Sequence, residues 1–234
     1  IYNNGVLVLN NCTFVNNKAT FGGAIYNNGT MILNNCTFES NIASVSGGAI
    51  YNLQDDLTIH DSAFIGNYAK IKNGILQGGA IANYANNLTV DNCSFVKNHL
   101  FNTNWYKNGK MYGGAIYNFG NLDLVHVNFV NNTAKYGGAI MNYAYGLVLD
   151  DSTFTNNTAK IGGAIYNSAD CFVVGNSTFA NNTATSNGGV IFNYGIGFVV
   201  GNSTFVNNSA ADGAGAILNG GRGFVVGNST FANN

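Results

Sequence analysis

Nine times along this chain a Phe is followed three residues later by an Asn, and Gly-Gly-Ala-Ile or a near copy separates successive pairs. The phenylalanines are Phe14, Phe38, Phe64, Phe95, Phe129, Phe154, Phe179, Phe205 and Phe231, with partners running from Asn17 to Asn234. Most repeats span 24 to 26 residues, and two are longer. A period of this size, built from strand-type residues without a helical pattern, specifies a solenoid whose repeats bury their apolar faces on one another.

Within a repeat the apolar residues alternate. Leu122 and Leu124 stand seven and five residues before Phe129, and the residue between them, Asp123, marks an outward position as Thr58 and Thr89 do elsewhere. Period-two alternation is a strand signal. A second strand reads small residue, Thr, Phe, and a third follows the glycine pair as Ile-Tyr-Asn. Three short strands and three corners in roughly 25 residues predict an all-β, right-handed parallel β-helix of about nine coils. Residues 1–234 read as a single array and a segment of a longer one, with longer corner loops at 68–77 and 99–112.

Two asparagine columns support stacking: the Asn after each Phe, and the Asn that ends each Ile-Tyr-Asn, from Asn3 to Asn219. A stacked amide can donate to one coil and accept from the other, so these columns are expected as buried ladders. The chain contains no proline, which suits strands with neighbours on both sides. Cys12, Cys36 and Cys93 alternate with serines two residues before the Phe, as expected of small inward side chains with free thiols. A disulfide between stacked Cys12 and Cys36 is the alternative.

Only 8% of residues are charged and the formal net charge is −1, so no basic stripe for nucleic acid or anionic membrane is expected. No apolar run is long enough to span a bilayer in this segment. The inward Ile1 and the corner residue Asn234 leave both ends uncapped, which predicts further repeats or head-to-tail stacking of copies.

The paired motifs Gly-Gly-Ala-Ile and Phe-x-x-Asn resemble the repeats of chlamydial polymorphic outer-membrane proteins. The longer stretch from Ser152 to Ala159, followed by Gly162 to Asn167, is similar to adhesin-like surface proteins of methanogenic archaea. The resemblance implies a right-handed β-helix exposed at a cell surface, extracellular and non-enzymatic, in adhesion or envelope structure.

A carbohydrate-active enzyme, a polysaccharide lyase or hydrolase, is the competing expectation, because such sites also occur on β-helices. They need convergent carboxylates and bases. Here stacking places His60 beside Asp91 and His126 beside Asp151 as isolated pairs, far from Arg222. No catalytic residue is assigned, and no metal or other cofactor is expected. Asp55, Asp56 and Asp61 show no repeating calcium-ligand spacing.

The second insertion carries Phe101, Trp105, Tyr106 and Tyr112 with Lys107 and Lys110, a ligand-binding candidate in the kind of projecting loop that repeat proteins use. Aromatics among polar groups suit sugar rings, so glycans or proteins of a host or neighbouring cell are expected partners. Self-association is the other, through outward columns of Val148, Val173, Val199 and Val225 and of tyrosines such as Tyr26, Tyr51 and Tyr117. Asn-x-Ser/Thr triplets make Asn11, Asn35, Asn92, Asn176, Asn202 and Asn228 glycosylation candidates at one corner. A coil spacing of about 4.8 Å leaves room for sparse occupancy only.

Overall fold

A computed structural model describes residues 1–71, 74–102 and 109–234. Three nine-stranded parallel sheets run the length of the chain, each adding one strand per repeat. The first contains the Ile-Tyr-Asn strands, from Tyr2–Asn3 to Ile217–Asn219. The second runs from Val6–Asn10 to Val225–Gly227, and the third from Thr13–Val15 to Thr230–Ala232. Registers are those of the repeat: Phe14 pairs with Phe38, Phe95 with Phe129, and Phe205 with Phe231. The fold is the all-β parallel β-helix that the periodicity predicts. Among the described residues no helix is long and apolar enough to cross a membrane.

The inward positions fill a continuous core. Repeat phenylalanines stack with ring centroids 4.6 to 5.0 Å apart and planes within 3° to 19°. That separation follows from the inter-strand spacing, which brings equivalent side chains within stacking range on every coil. Leu, Ile and Val from the other two sheets close the interior around them.

Both asparagine columns form the expected ladders. Along the column after Phe, each side-chain Nδ2 donates to the next Oδ1 at 2.7 to 3.1 Å. Along the column after Ile-Tyr, the same link spans 2.6 to 2.8 Å. Among the described residues no buried side-chain nitrogen or oxygen lacks a partner. That completeness is what permits amides to sit inside a low-dielectric interior.

The Cys/Ser column has a polar role beyond small size. Ser152 Oγ donates to the Asp150 carbonyl at 2.8 Å and accepts the Val127 N–H at 3.0 Å, and Ser177 repeats the pattern one coil on. Cys93 substitutes, its Sγ donating to the Asp91 carbonyl and accepting from Ser62 N–H. All four cysteines are free. Burial raises the Cys36 thiol and pushes Cys93 up to about 12. A thiol-reactive disulfide reagent near neutral pH should therefore modify half-buried Cys12 and Cys171 well before Cys36 and Cys93. Equal rates for all four would contradict the inward placement.

Corners dictate the remaining asparagines and the glycine pair. Asn11, Asn35, Asn92, Asn176, Asn202 and Asn228 adopt φ of 45° to 55°, a left-handed conformation that Asn tolerates better than most residues. In the glycine pair, Gly137 has φ +62°, and a Cβ on Gly138 would lie 2.1 Å from the Gly163 carbonyl oxygen. The first glycine is required by conformation and the second by coil-to-coil contact.

Two features depart from the sequence reading. The segments at 68–77 and 99–112, expected as loops, begin and end as strands: Tyr68–Ile71 and Ile75–Gln77, then His99–Asn102 and Lys110–Tyr112. With Ile42–Ser46 and Lys18–Phe21 they make a fourth sheet, local to the first half of the array. Nor is the tyrosine column exposed throughout. Tyr117 is only 5% exposed, because Tyr84, Tyr112 and Tyr143 pack around it with centroids 5.4 to 6.4 Å away. These covering rings come from other corners of the coils, so reading the column alone could not find them.

Candidate functional site

At the first corner the two expected His–Asp pairs merge into one chain. His60 Nδ1 lies 3.7 Å from Asp91, Asp91 lies 3.1 Å from His126 Nδ1, and His126 Nε2 lies 3.3 Å from Asp151. In-register stacking puts His60 beside Asp91, and the left-handed turn at His126 aims its ring across the coils at both aspartates. The hydrogen bond to Asp91, aided by the Asp151 and Asp91 charges, holds the His126 pKa above its ordinary 6.5. The group is solvent-exposed, with His126 at 56% and Asp151 at 64% side-chain exposure.

The sign of the linkage is that of a histidine gaining a partner. Its stabilising contribution is present below the ordinary value and is lost as pH rises through the raised one. An NMR titration should place the His126 midpoint above 6.5 in the native chain, and Asp91→Asn should bring it back down. A midpoint unmoved by that substitution would remove Asp91 as the cause. Among the described residues no cluster of His, Cys, Asp or Glu is arranged to hold a metal ion.

A cleft of about 640 Å³ lies elsewhere on the coil, where the fourth sheet stops. The strand His99–Asn102 pairs along its length with Tyr68–Ile71, yet toward the next coil only His99 finds a bridge, to Thr133. The next coil crosses this corner in the short segment 133–136, bridged to His99 at one end and to Tyr112 at the other, so Leu100 and Phe101 stand beside it as a step. Phe101 forms the wall, while Thr133, Thr158 and Thr185 line the floor with Lys135 and Lys160 beside them. Leu100 and Met111 anchor the step from within, packed with Ala43, Ala69, Leu76 and Ala134.

Of the insertion residues expected to bind ligand, Phe101 stands at the cleft, 47% exposed. Lys110 is exposed at the start of its strand. Tyr112 is half-buried in the aromatic layer, against Tyr117, Tyr136 and Tyr143. Trp105, Tyr106 and Lys107 lie outside the described residues. Lys135 and Lys160 escaped the sequence reading, although both stand three residues after a ladder Asn, where Lys70 and Phe101 also stand. The six sequon asparagines lie exposed at the first corner, with Asn35 Nδ2 donating to Asn11 at 2.7 Å and Asn176 Nδ2 to Asp150 at 2.8 Å.

Residues 11–28, 35–53, 126–143, 151–168 and 176–194 match the model of the Chlamydia polymorphic membrane protein repeat. The matches cover well under half of the chain. Each runs from the first corner through Phe-x-x-Asn and Gly-Gly to the Asn ladder. The repeats that do not match include those whose motif spacing the insertions lengthen and the one carrying Gly213-Ala214-Gly215 in place of the glycine pair. Comparison with curated proteins and with solved structures gave no match for the chain.

Proposed function

We propose that this chain is a non-enzymatic, extracellular β-helix of a cell surface that acts in adhesion. The observation that carries the reading is the coincidence of five Chlamydia polymorphic membrane protein repeats with an unbroken parallel β-helix. Such a scaffold holds its corners rigidly and presents long faces outward, which suits contact with another surface. The cleft supports binding over catalysis: its described lining includes two lysines and three threonines, without carboxylate or imidazole for acid–base work. The His–Asp chain, for its part, is solvent-exposed at the first corner and lies away from that cleft.

Antibodies raised against the folded chain should label intact cells of its source, and external protease should remove that label. Labelling only after permeabilisation would overturn the surface assignment. Incubation with acidic and neutral polysaccharides should release no reducing ends or unsaturated products; turnover abolished by His126→Ala would favour the lyase or hydrolase.

Side-by-side association of rods is a second reading, supported by the exposed valine column Val148, Val173, Val199 and Val225, 37% to 57% exposed. Replacing these four valines with Lys should then reduce the sedimenting mass at high concentration, and an unchanged mass would exclude this face.

A further inference from the structure

The charges of this nearly neutral chain are segregated by side. Seven of its eight lysines fall between the ladder Asn that follows Phe and the Gly-Gly turn, namely 18, 70, 72, 107, 110, 135 and 160. That segment contains no Asp or Glu in any repeat before Asp212. The other nine acids lie elsewhere on the coil: Asp61, Asp91, Asp150 and Asp151 at the first corner, Asp55, Asp56 and Asp170 after the Ile-Tyr-Asn strands, and Glu39 and Asp123 on strands of the other two long sheets. Among the described residues this side carries Lys18, Lys70, Lys110, Lys135 and Lys160 against the single carboxylate of Asp212, and a side with such an excess of cations attracts anions even when the net charge is close to zero.

The cleft lies on that side. Lys70, Phe101, Lys135 and Lys160 each stand three residues after a ladder Asn on four successive coils; Lys70 pairs with Phe101 and the Lys160 N–H donates to the Lys135 carbonyl, while at the step the Lys135 N–H donates to the Met111 carbonyl. Lys70 Nζ lies 5.2 Å from the Phe101 ring centroid, a cation–π contact that steadies the ring. Lys135 Nζ donates to the Gly109 carbonyl at 3.2 Å and lies 5.7 Å from the Tyr136 centroid. An ammonium has three donors, so the bond to Gly109 does not exhaust those of Lys135. Lys160 is exposed on the next coil. Thr133 and Thr158 pair across adjacent coils, so their hydroxyls recur at about the 4.8 Å strand spacing, and Thr185 adds a third from the following coil; each can donate and accept.

We propose that this cleft binds an acidic oligosaccharide, with Lys135 and Lys160 on its anionic groups, the threonine floor on its hydroxyls and Phe101 against a sugar ring. Charge complementarity selects the anion. The hydroxyl floor and exposed ring select a carbohydrate over an acidic peptide, because they match a ligand rich in hydroxyls with apolar ring faces. Carboxylate and sulfate share the chemistry that lysine recognises, so either source fits. The proposal deepens the adhesive reading by naming its ligand class, and it is tested on the purified chain independently of cellular location.

The test is calorimetric titration of the full chain with a hexamer of galacturonate, a heparin-derived hexasaccharide, maltohexaose, poly-glutamate and a short single-stranded DNA. At least one acidic sugar should bind, more weakly as salt rises, and at least about tenfold more tightly than maltohexaose. Which acidic sugar binds identifies the anionic group. Lys160→Glu should weaken it by about tenfold or more, whereas Arg222→Glu, the same charge change on a distant corner, should alter it by less than about twofold. Phe101→Ala should weaken sugar binding while leaving any poly-glutamate binding unchanged. Circular dichroism of each variant should match that of the native chain, which separates lost binding from lost folding.

No acidic sugar bound at millimolar concentration would overturn the proposal. So would equal affinity for maltohexaose, equal effects of Lys160→Glu and Arg222→Glu, or tighter binding of poly-glutamate or DNA than of either acidic sugar. None of these results bears on surface labelling, so a failed ligand and a failed surface assignment remain distinct.

Discussion

Asn157→Asp is expected to destabilise the chain by about 3–5 kcal/mol at neutral pH, the range for an uncompensated buried charge, and to recover part of that loss on acidification. Asn157 is fully buried. Its Nδ2 donates to the Phe129 carbonyl at 2.9 Å and to Asn182 Oδ1 at 3.0 Å, while its Oδ1 accepts from the N–H and Nδ2 of Asn132. Aspartate keeps the shape and the acceptor, but it replaces two donated hydrogens with an oxygen facing two other oxygens. Burial and that contact raise its folded pKa above the unfolded value of about 3.9. The folded state then holds more protons than the unfolded state, so stability falls as pH rises from the unfolded pKa through the folded one. Melting curves between about pH 4 and pH 7 should show the variant losing stability, relative to the native chain, as pH rises. Asn156→Asp, at the exposed left-handed corner, should change little at either end. Equal effects at the two neighbouring positions would mean that the ladder contributes nothing special.

Phe129→Ala should cost about 3–5 kcal/mol, the range for truncating a buried aromatic that leaves a cavity. Phe129 is inaccessible to solvent and stacks on Phe95 at 4.9 Å and Phe154 at 4.6 Å. Both neighbours are fixed by their own strands, so the stack cannot easily collapse into the gap. Phe101→Ala removes a ring that is 47% exposed at the cleft and should cost far less. Thermal melts of the two variants make the comparison directly. Matching losses would contradict the assignment of the repeat phenylalanine to the core.

Much of this was legible because the fold is a stack. In a parallel array in register, the neighbour of each residue is its equivalent one repeat away, so a sequence column is also a spatial column. Phe14 to Phe231, both asparagine ladders and the outward valines could be placed by counting alone. The same logic brought His60 to Asp91.

What the sequence by itself determined is therefore everything that repeats: the sheets, their register, the core and the ladders. Only the tertiary structure decided what depends on contacts between different columns or on a change in coil length. Tyr84, Tyr112 and Tyr143 bury Tyr117 from other corners, and the turn at His126 links Asp91 to Asp151. The cleft lies where a longer coil meets a shorter one and the fourth sheet stops, which brings Phe101 to the same cleft as Lys135 and Lys160. Periodicity reports the environment shared by equivalent residues, and a step is the place where that equivalence ends.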